Sequence, residues 1–502
     1  MLYQMELCSD LKAFLKRRVE EHPDTAAFAY WDKSHSVLTE KSSVEFADGV
    51  ERLGAWLTAK GYRGAKIAVT GENSYPWMLA FFAITNSGNV AALLDKSLPA
   101  RKAAQLITET DCELLFYASS CQNVVNQLTE LGRPFISAVC LDELESLLEH
   151  DAGMIGEYRE AFRAVEVRRE DLAVIAYTSG TSGKNKGVML THGNIAEDVS
   201  HGGRNINFQG RTLLLLPLHH MFGLSAATMG SLIYGGTVYI NQGLRYIPSD
   251  ILNIKPTVIP AVPAMLPLIY KVLSGMKDMG KVKIICGGAP ADGFWIDRFR
   301  SIGAEIYVGY GMTECAPLIA VGSELYNRRG DCMKPIDGCE IRIDKPDKDG
   351  CGEILVRGPN VMVGYYKMEE ETAEALKDGW LHTGDIGKLD EEGYLSITGR
   401  KKNLLILANG ENVSAEAMER GLMLVKGVKE CLTSVVDGKI QAEIYSDEAD
   451  EDSTRKAIQE WNHTLDPARR IIRIIFRKTE FPKNSSQKII RNSSSVTQDK
   501  EN

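Results

Sequence analysis

The sequence predicts an α/β protein: a large N-terminal domain of parallel and mixed sheets with flanking helices and a β-rich subdomain, then a small α+β C-terminal domain. Three observations carry this. Short apolar runs alternate with amphipathic segments over the first two thirds of the chain, the pattern of crossover units in a parallel sheet. From about residue 336 that pattern gives way to apolar–polar alternation broken by Asp-Gly and Glu-Gly turns, the signature of antiparallel hairpins. At 502 residues, finally, the chain exceeds what one core usually organises, so at least two domains are expected.

In chain order, Leu11 to Glu21 has helical spacing and stops before His22-Pro23, and Val44 to Lys60 repeats the pattern and stops at Gly61. KIAVTG (66–71) reads as a strand, PWMLAFFAITNSG (76–88) as a helix and NVAALLD (89–95) as the next strand. Further strands are expected at 138–143, in DLAVIAYTSG (171–180), near 213, and in GGTVYI, PTVIPAVP, KVKIICGG and EIYVGYG (235–311). CEIRIDKPDKDGCGEILVRGP and DIGKLDEEGYLSITGR are read as hairpins. KKNLLILANGENVSAEAMERGLML reads as strand, glycine turn and helix. The expected division is residues 1–400, residues 401–491 and a polar, disordered tail at 492–502.

Composition narrows the function. Hydrophobic residues at 44% and charged residues at 25% are ordinary for a globular chain, which excludes collagen-like, disordered and coiled-coil classes. A formal net charge of −9 argues against a dedicated nucleic-acid binder, which needs a basic surface; a local phosphate site remains possible. The ten cysteines form no C-x-x-C pair and are read as free thiols in a reducing cytosol. No signal peptide or membrane-spanning run is read, so a soluble cytoplasmic protein is expected.

The strongest local signal is YTSGTSGKNKG (177–187), directly after the run LAVIAY. Its glycines let backbone N–H groups approach an anion, its hydroxyls donate hydrogen bonds and its lysines supply charge, so it reads as a phosphate-binding loop. No Walker A spacing fits it.

This string closely resembles the phosphate-loop signature of the adenylate-forming superfamily, within which the wording is most like bacterial fatty acyl-CoA ligases. Other signatures of that superfamily follow in order: LPLHHMFGL (216–224), GGAP (287–290), GYGMTE (309–314), GWLHTGD (379–385), GRKKNLLILANGENVSAEAME (399–419) and FPKNSSQKIIR (481–491). The resemblance implies MgATP as the activating nucleotide and coenzyme A as co-substrate. It implies phosphate contacts from Thr178, Ser179, Gly180, Thr181, Ser182, Gly183 and Lys186. Gly288, Ala289, Pro290, Gly309, Tyr310, Gly311, Met312 and Thr313 would surround AMP, with Tyr310 stacked on adenine. Glu314 would be the magnesium ligand, since Mg²⁺ takes hard oxygen donors. Asp385 would accept from the ribose hydroxyls beside Arg400. Lys488 would bring positive charge to the transferred phosphorus, so Lys488, Thr178, Lys186 and Glu314 form the implied catalytic set. His220, Gly287, Gly410 and Glu411 would line the acyl and acceptor sites, while His219 is read as packing. Lys402 would be the hinge of a mobile C-terminal domain.

Two departures from the family pattern stand out. Gln487 replaces the usual glycine before Lys488, and Ser414-Ala415 replaces an aromatic–proline pair in a loop that faces the thiol acceptor. Residues 211–249 hold no Asp or Glu, so nothing there would pair the ammonium of an amino-acid substrate; with their many Leu, Met, Ile and Ala they suit a fatty acyl chain. The resulting expectation is an acid–thiol ligase that forms acyl-adenylate and pyrophosphate and then passes the acyl group to coenzyme A. The alternative is a stand-alone enzyme that loads an acyl carrier protein.

Overall fold

The computed structural model describes residues 6–133, 136–179, 185–289, 293–324, 333–408, 412–446, 451–483, 489 and 491. By packing, the chain divides into two compact units: residues 1–341 with 356–382, and residues 342–355 with 383–502. That division passes through strand Trp380–Leu389, ahead of the pivot expected at Lys402; a packing boundary and a pivot are different properties of a chain.

Among the described residues the first unit holds two large sheets. One runs, in spatial order, Lys334–Pro335, Leu318–Val321, Glu305–Gly311, Lys283–Cys286, Val258–Ala261, Arg211–Leu214, Thr237–Ile240, Ala26–Trp31 and Leu38–Ser42. Its centre is parallel, with antiparallel strands at both edges. The other runs Gly364–Tyr365, Asn185–Thr191, Leu172–Ser179, Val90–Leu94, Lys66–Thr70, Cys112–Tyr117 and Ser137–Cys140. Its central parallel strand Val90–Leu94 is apolar and buried at every position.

The helices that accompany these strands start on local chemistry. Asp10 caps Leu11–Glu21 by accepting from the Ala13 N–H. Ser42 and Glu45 close a reciprocal capping box on Ser43–Ala59. Ser74 caps Tyr75–Asn86, a helix buried at every position but Pro76. Arg18 is buried against three elements at once: its guanidinium donates to Ser43 Oγ at 2.8 Å and to the carbonyls of Leu232 and Ala26.

The second unit mixes strands and helices. Strands Glu430–Val436, Lys439–Tyr445 and Ile471–Arg477 form a sheet, its first pair antiparallel and its second parallel. Helices Ala415–Met423 and Glu451–His463 bury Met418, Leu422 and Ile458 in a common core with Ile440, Ala442 and Ile444. A short ribbon pairs Leu404–Ile406 with Asn412–Ser414. Among the described residues, no helix is long and apolar enough to cross a membrane.

Candidate active site

In the first unit the GGAP and GYGMTE segments leave the C-terminal ends of the neighbouring parallel strands Lys283–Cys286 and Glu305–Gly311, where open α/β sheets place their ligands. Strands Leu172–Ser179 and Asn185–Thr191 form a hairpin that sets Thr178 directly opposite Lys186. Gly180, Thr181, Ser182 and Gly183 lie outside the described residues, as does the side chain of Ser179. The hairpin thus brings a hydroxyl and an ammonium to the two sides of the loop mouth. The Lys186 ammonium sits 4.5 Å above the ring of Tyr365, a cation–π contact that holds it.

Glu314 follows strand Glu305–Gly311 in a tight turn. The chain folds back so closely that a Cβ on Gly311 would lie 1.9 Å from the Pro317 carbonyl oxygen, which excludes every other residue there. The turn is closed by the Met312 N–H, which donates to that carbonyl at 2.8 Å. Glu314 is buried, and Tyr365 donates its hydroxyl to Glu314 Oε1 at 2.9 Å. Burial, and then the Glu314 charge, push the Tyr365 hydroxyl far above its ordinary pKa, so it remains a donor. One ring therefore orients both the carboxylate and the ammonium. Asn360 anchors the same turn by donating to the Cys315 and Leu318 carbonyls. Behind it, buried Asp198 accepts from the Leu318 N–H and the Ser225 hydroxyl. Burial pushes the Asp198 carboxyl up to about 7, against the lowering effect of those donors.

Gly287, Gly288 and Ala289 leave the end of strand Lys283–Cys286, which pairs in parallel with the strand bearing Gly309, Tyr310 and Gly311. Met312 and Thr313 continue that strand into the Glu314 turn. Tyr310 is buried and stands opposite Ala320. Pro290 lies outside the described residues. The Phe222 ring packs against Gly287, so the segment carrying His220 adjoins the GGAP turn. His219 departs from its reading as simple packing: it is buried, but its Nε2 faces the Asp95 carboxylate at 3.5 Å.

In the second unit Asp385 and Arg400 are cross-strand partners, and Arg400 Nε meets Asp385 Oδ1 at 2.9 Å. Asp385 is buried while Arg400 is half exposed. The Asp385 N–H donates to Thr383 Oγ1, and Thr383 in turn donates to the Ile354 carbonyl, which fixes the HTGD bend. Lys402 stands in a helical turn, Lys401–Asn403; burial, and then the Arg400 charge, lower its pKa. Ser414 caps helix Ala415–Met423 and donates to the Thr398 carbonyl at 2.6 Å. That contact presses it onto Gly399, where a Cβ would lie 2.2 Å from Ser414 Oγ. Gly410, Glu411 and Lys488 lie outside the described residues.

Sequence reasoning missed Tyr365, Asn360 and Asp198. Tyr365 lies 51 residues from Glu314 on a two-residue strand, and nothing in its local pattern links the two.

Comparison with known proteins decides the family, because the AMP-binding enzyme family matches residues 15–366, well over half the chain. The chain belongs to the AMP-binding enzyme family. A long-chain-fatty-acid–CoA ligase of Haemophilus influenzae is 30% identical, covering 95% of this chain and 92% of the relative. A 2-succinylbenzoate–CoA ligase of Bacillus subtilis is 30% identical over 85% of each. Among solved structures, the o-succinylbenzoate CoA synthetase of Bacillus subtilis in complex with its acyl-adenylate intermediate superposes with a TM-score of 0.81. It has 26% identity and covers 98% of both chains. The expected α/β class, with large sheets and flanking helices, is the fold of this family member.

Proposed function

We propose that this chain activates a fatty acid with ATP, releasing pyrophosphate, and transfers the acyl group from the adenylate to the thiol of coenzyme A. The coarser part, ATP-dependent ligation of a carboxylic acid to coenzyme A through an acyl-adenylate, is supported by family membership and by relatives named as acid–CoA ligases. The finer part takes its support from a long-chain-fatty-acid ligase that is 30% identical over 95% of this chain, although succinylbenzoate and feruloyl relatives also align over most of it. The buried, apolar helix Phe222–Met229 beside His220 is consistent with an alkyl chain.

Roles follow the implied set. Thr178 and Lys186 hold phosphate oxygens, Tyr310 and the GGAP turn hold adenine, and Asp385 with Arg400 hold ribose. Lys488 supplies positive charge to the transferred phosphorus, offsetting the charge that builds on its oxygens. Lys402 is the pivot that lets the C-terminal domain serve both half-reactions. Mg²⁺ fits Glu314: the donor is a hard carboxylate whose direction Tyr365 fixes, and a relative has been solved with ATP and magnesium ion. When bound, the ion would screen phosphate charge.

The test is pyrophosphate release and thioester yield across straight-chain fatty acids, cinnamic-type acids and succinylbenzoate, with free coenzyme A or a purified acyl carrier protein. Fatty acids with coenzyme A should give the highest kcat/KM. A higher value for an aromatic acid would overturn the fatty-acid reading, and thioester on the carrier alone would make the chain a carrier-loading enzyme.

A further inference from the structure

We infer that Asp95, His219 and His220 form a binding site for a divalent transition-metal ion of the zinc class, separate from the magnesium that accompanies ATP. Asp95 directly follows strand Val90–Leu94 of one sheet, and the two histidines follow strand Arg211–Leu214 of the other. One ligand atom from each of the three lies within 4.8 Å of the other two.

The orientation is built. Asp95 Oδ1 accepts the Ser97 N–H at 2.8 Å, and Oδ2 faces His219 Nε2 at 3.5 Å. Asn73 pins the chain just ahead of the histidines, donating to the Leu216 carbonyl at 2.8 Å and accepting the Leu218 N–H at 2.9 Å. The two imidazole rings are 4.2 Å apart and tilted by 47°. Backbone tethers of this kind hold metal ligands in place.

His219 supplies the independent observation. It is only 9% exposed, and its Nε2 is buried without a hydrogen-bond partner. A buried imidazole nitrogen left in that state is costly. The 3.5 Å from Nε2 to Asp95 Oδ2 makes no aligned hydrogen bond. It does match the edge of a tetrahedron, because ligands about 2.1 Å from a zinc ion sit about 3.4 Å from one another. Two imidazoles with one carboxylate favour zinc, cobalt or nickel over magnesium, which prefers an all-oxygen shell. Three protein ligands leave a fourth position for water or a small anion.

The experiment uses the full chain without a histidine tag, stripped by chelator and titrated with Co²⁺ in the absence of ATP, acid and coenzyme A. Its outcome is therefore independent of the ligase reading. One equivalent should bind with the visible band of four-coordinate cobalt and no thiolate charge-transfer band, and Zn²⁺ should displace it. Asp95→Asn and His219→Gln should each weaken binding by roughly tenfold or more and abolish the rise in melting temperature that Zn²⁺ gives the wild type. Metal-free melts confirm folding, and should His219→Gln fail to fold, Asp95→Asn decides. Equal affinity in a folded variant, a thiolate band, or no bound equivalent overturns the site.

Discussion

Replacing Tyr365 with phenylalanine isolates one hydrogen bond. The ring stays, so the Lys186 ammonium keeps the face it rests on, 4.5 Å above the centroid. Only the hydroxyl that donates to Glu314 Oε1 at 2.9 Å is lost. Both partners are buried and the acceptor is a carboxylate, so the bond is of the charge-assisted kind, worth about 1.5–3 kcal/mol. If it serves to aim Glu314 at the metal, that energy is lost from the adenylation step and the rate falls roughly tenfold to a hundredfold. It also raises the Mg²⁺ concentration needed for half-maximal rate. The assay is pyrophosphate–ATP exchange at saturating acid over a Mg²⁺ series, with a thermal melt alongside. A variant with wild-type Mg²⁺ dependence and exchange rate, but a lower melting temperature, would refute the reasoning: the bond would then hold only the turn and not the site. Tyr365→Leu, which removes the ring as well, should be worse than Tyr365→Phe because Lys186 loses its support too.

Three further expectations follow from the geometry. Asp385→Ala should weaken ATP affinity by about 1.5–3 kcal/mol in calorimetry while leaving acid affinity near wild type, and unchanged ATP affinity would reduce HTGD to a bend. Gly399→Ala should cost about 1–3 kcal/mol, because its Cβ meets Ser414 Oγ at 2.2 Å; adding Ser414→Ala should recover part of that in a double-mutant cycle, whereas simple additivity of the two melts would show that they do not meet. Asp198 has a folded pKa raised from 3.8 to about 7, so its contribution to stability is present at low pH and is lost as pH rises through that window. The melting temperature of wild type relative to Asp198→Asn should therefore decline from pH 4 to pH 8, and a constant difference would place the carboxyl outside the buried environment described.

The fold was legible where burial writes itself into the sequence. Strands Lys66–Thr70, Leu172–Ser179 and Glu305–Gly311 lie where apolar runs bounded by glycine predict them, since each is largely buried within its sheet. The chain at 138–143 is strand only to Cys140; Leu141–Glu143 turns helical, because the local alternation says nothing about where the neighbouring strand stops. Strand Leu38–Ser42 is half-buried to exposed throughout and carries no apolar period; pairing with Ala26–Trp31 forms it. Gly364–Tyr365 is two residues long and exists only as an edge on Asn185–Thr191. Elements too short or too polar to show a period, and defined by the strand they pair with, leave no local trace.

The candidate site divides along the same line. Groups that would touch the nucleotide are legible as types in order, because phosphate, ribose and metal each restrict the chemistry that can face them: glycine and hydroxyl, carboxylate, hard oxygen. Groups that aim those residues are not, because any donor at the right place suffices and the place comes from tertiary register. Asp385 and Arg400 show both halves of this. Their types are readable from GWLHTGD and the residue before Lys401, but their 2.9 Å contact exists because the hairpin register sets residue 385 opposite residue 400. The pair follows physically from this register: a buried carboxylate needs a counter-charge, and a cross-strand arginine, itself half exposed, supplies one without burying a second full charge. A ligand hydroxyl arriving at Asp385 must share that carboxylate with Arg400. Removing Arg400 alone therefore takes its cross-strand counter-charge from a buried acid, and Arg400→Ala should destabilise the second unit where Asp385→Ala Arg400→Ala does so less.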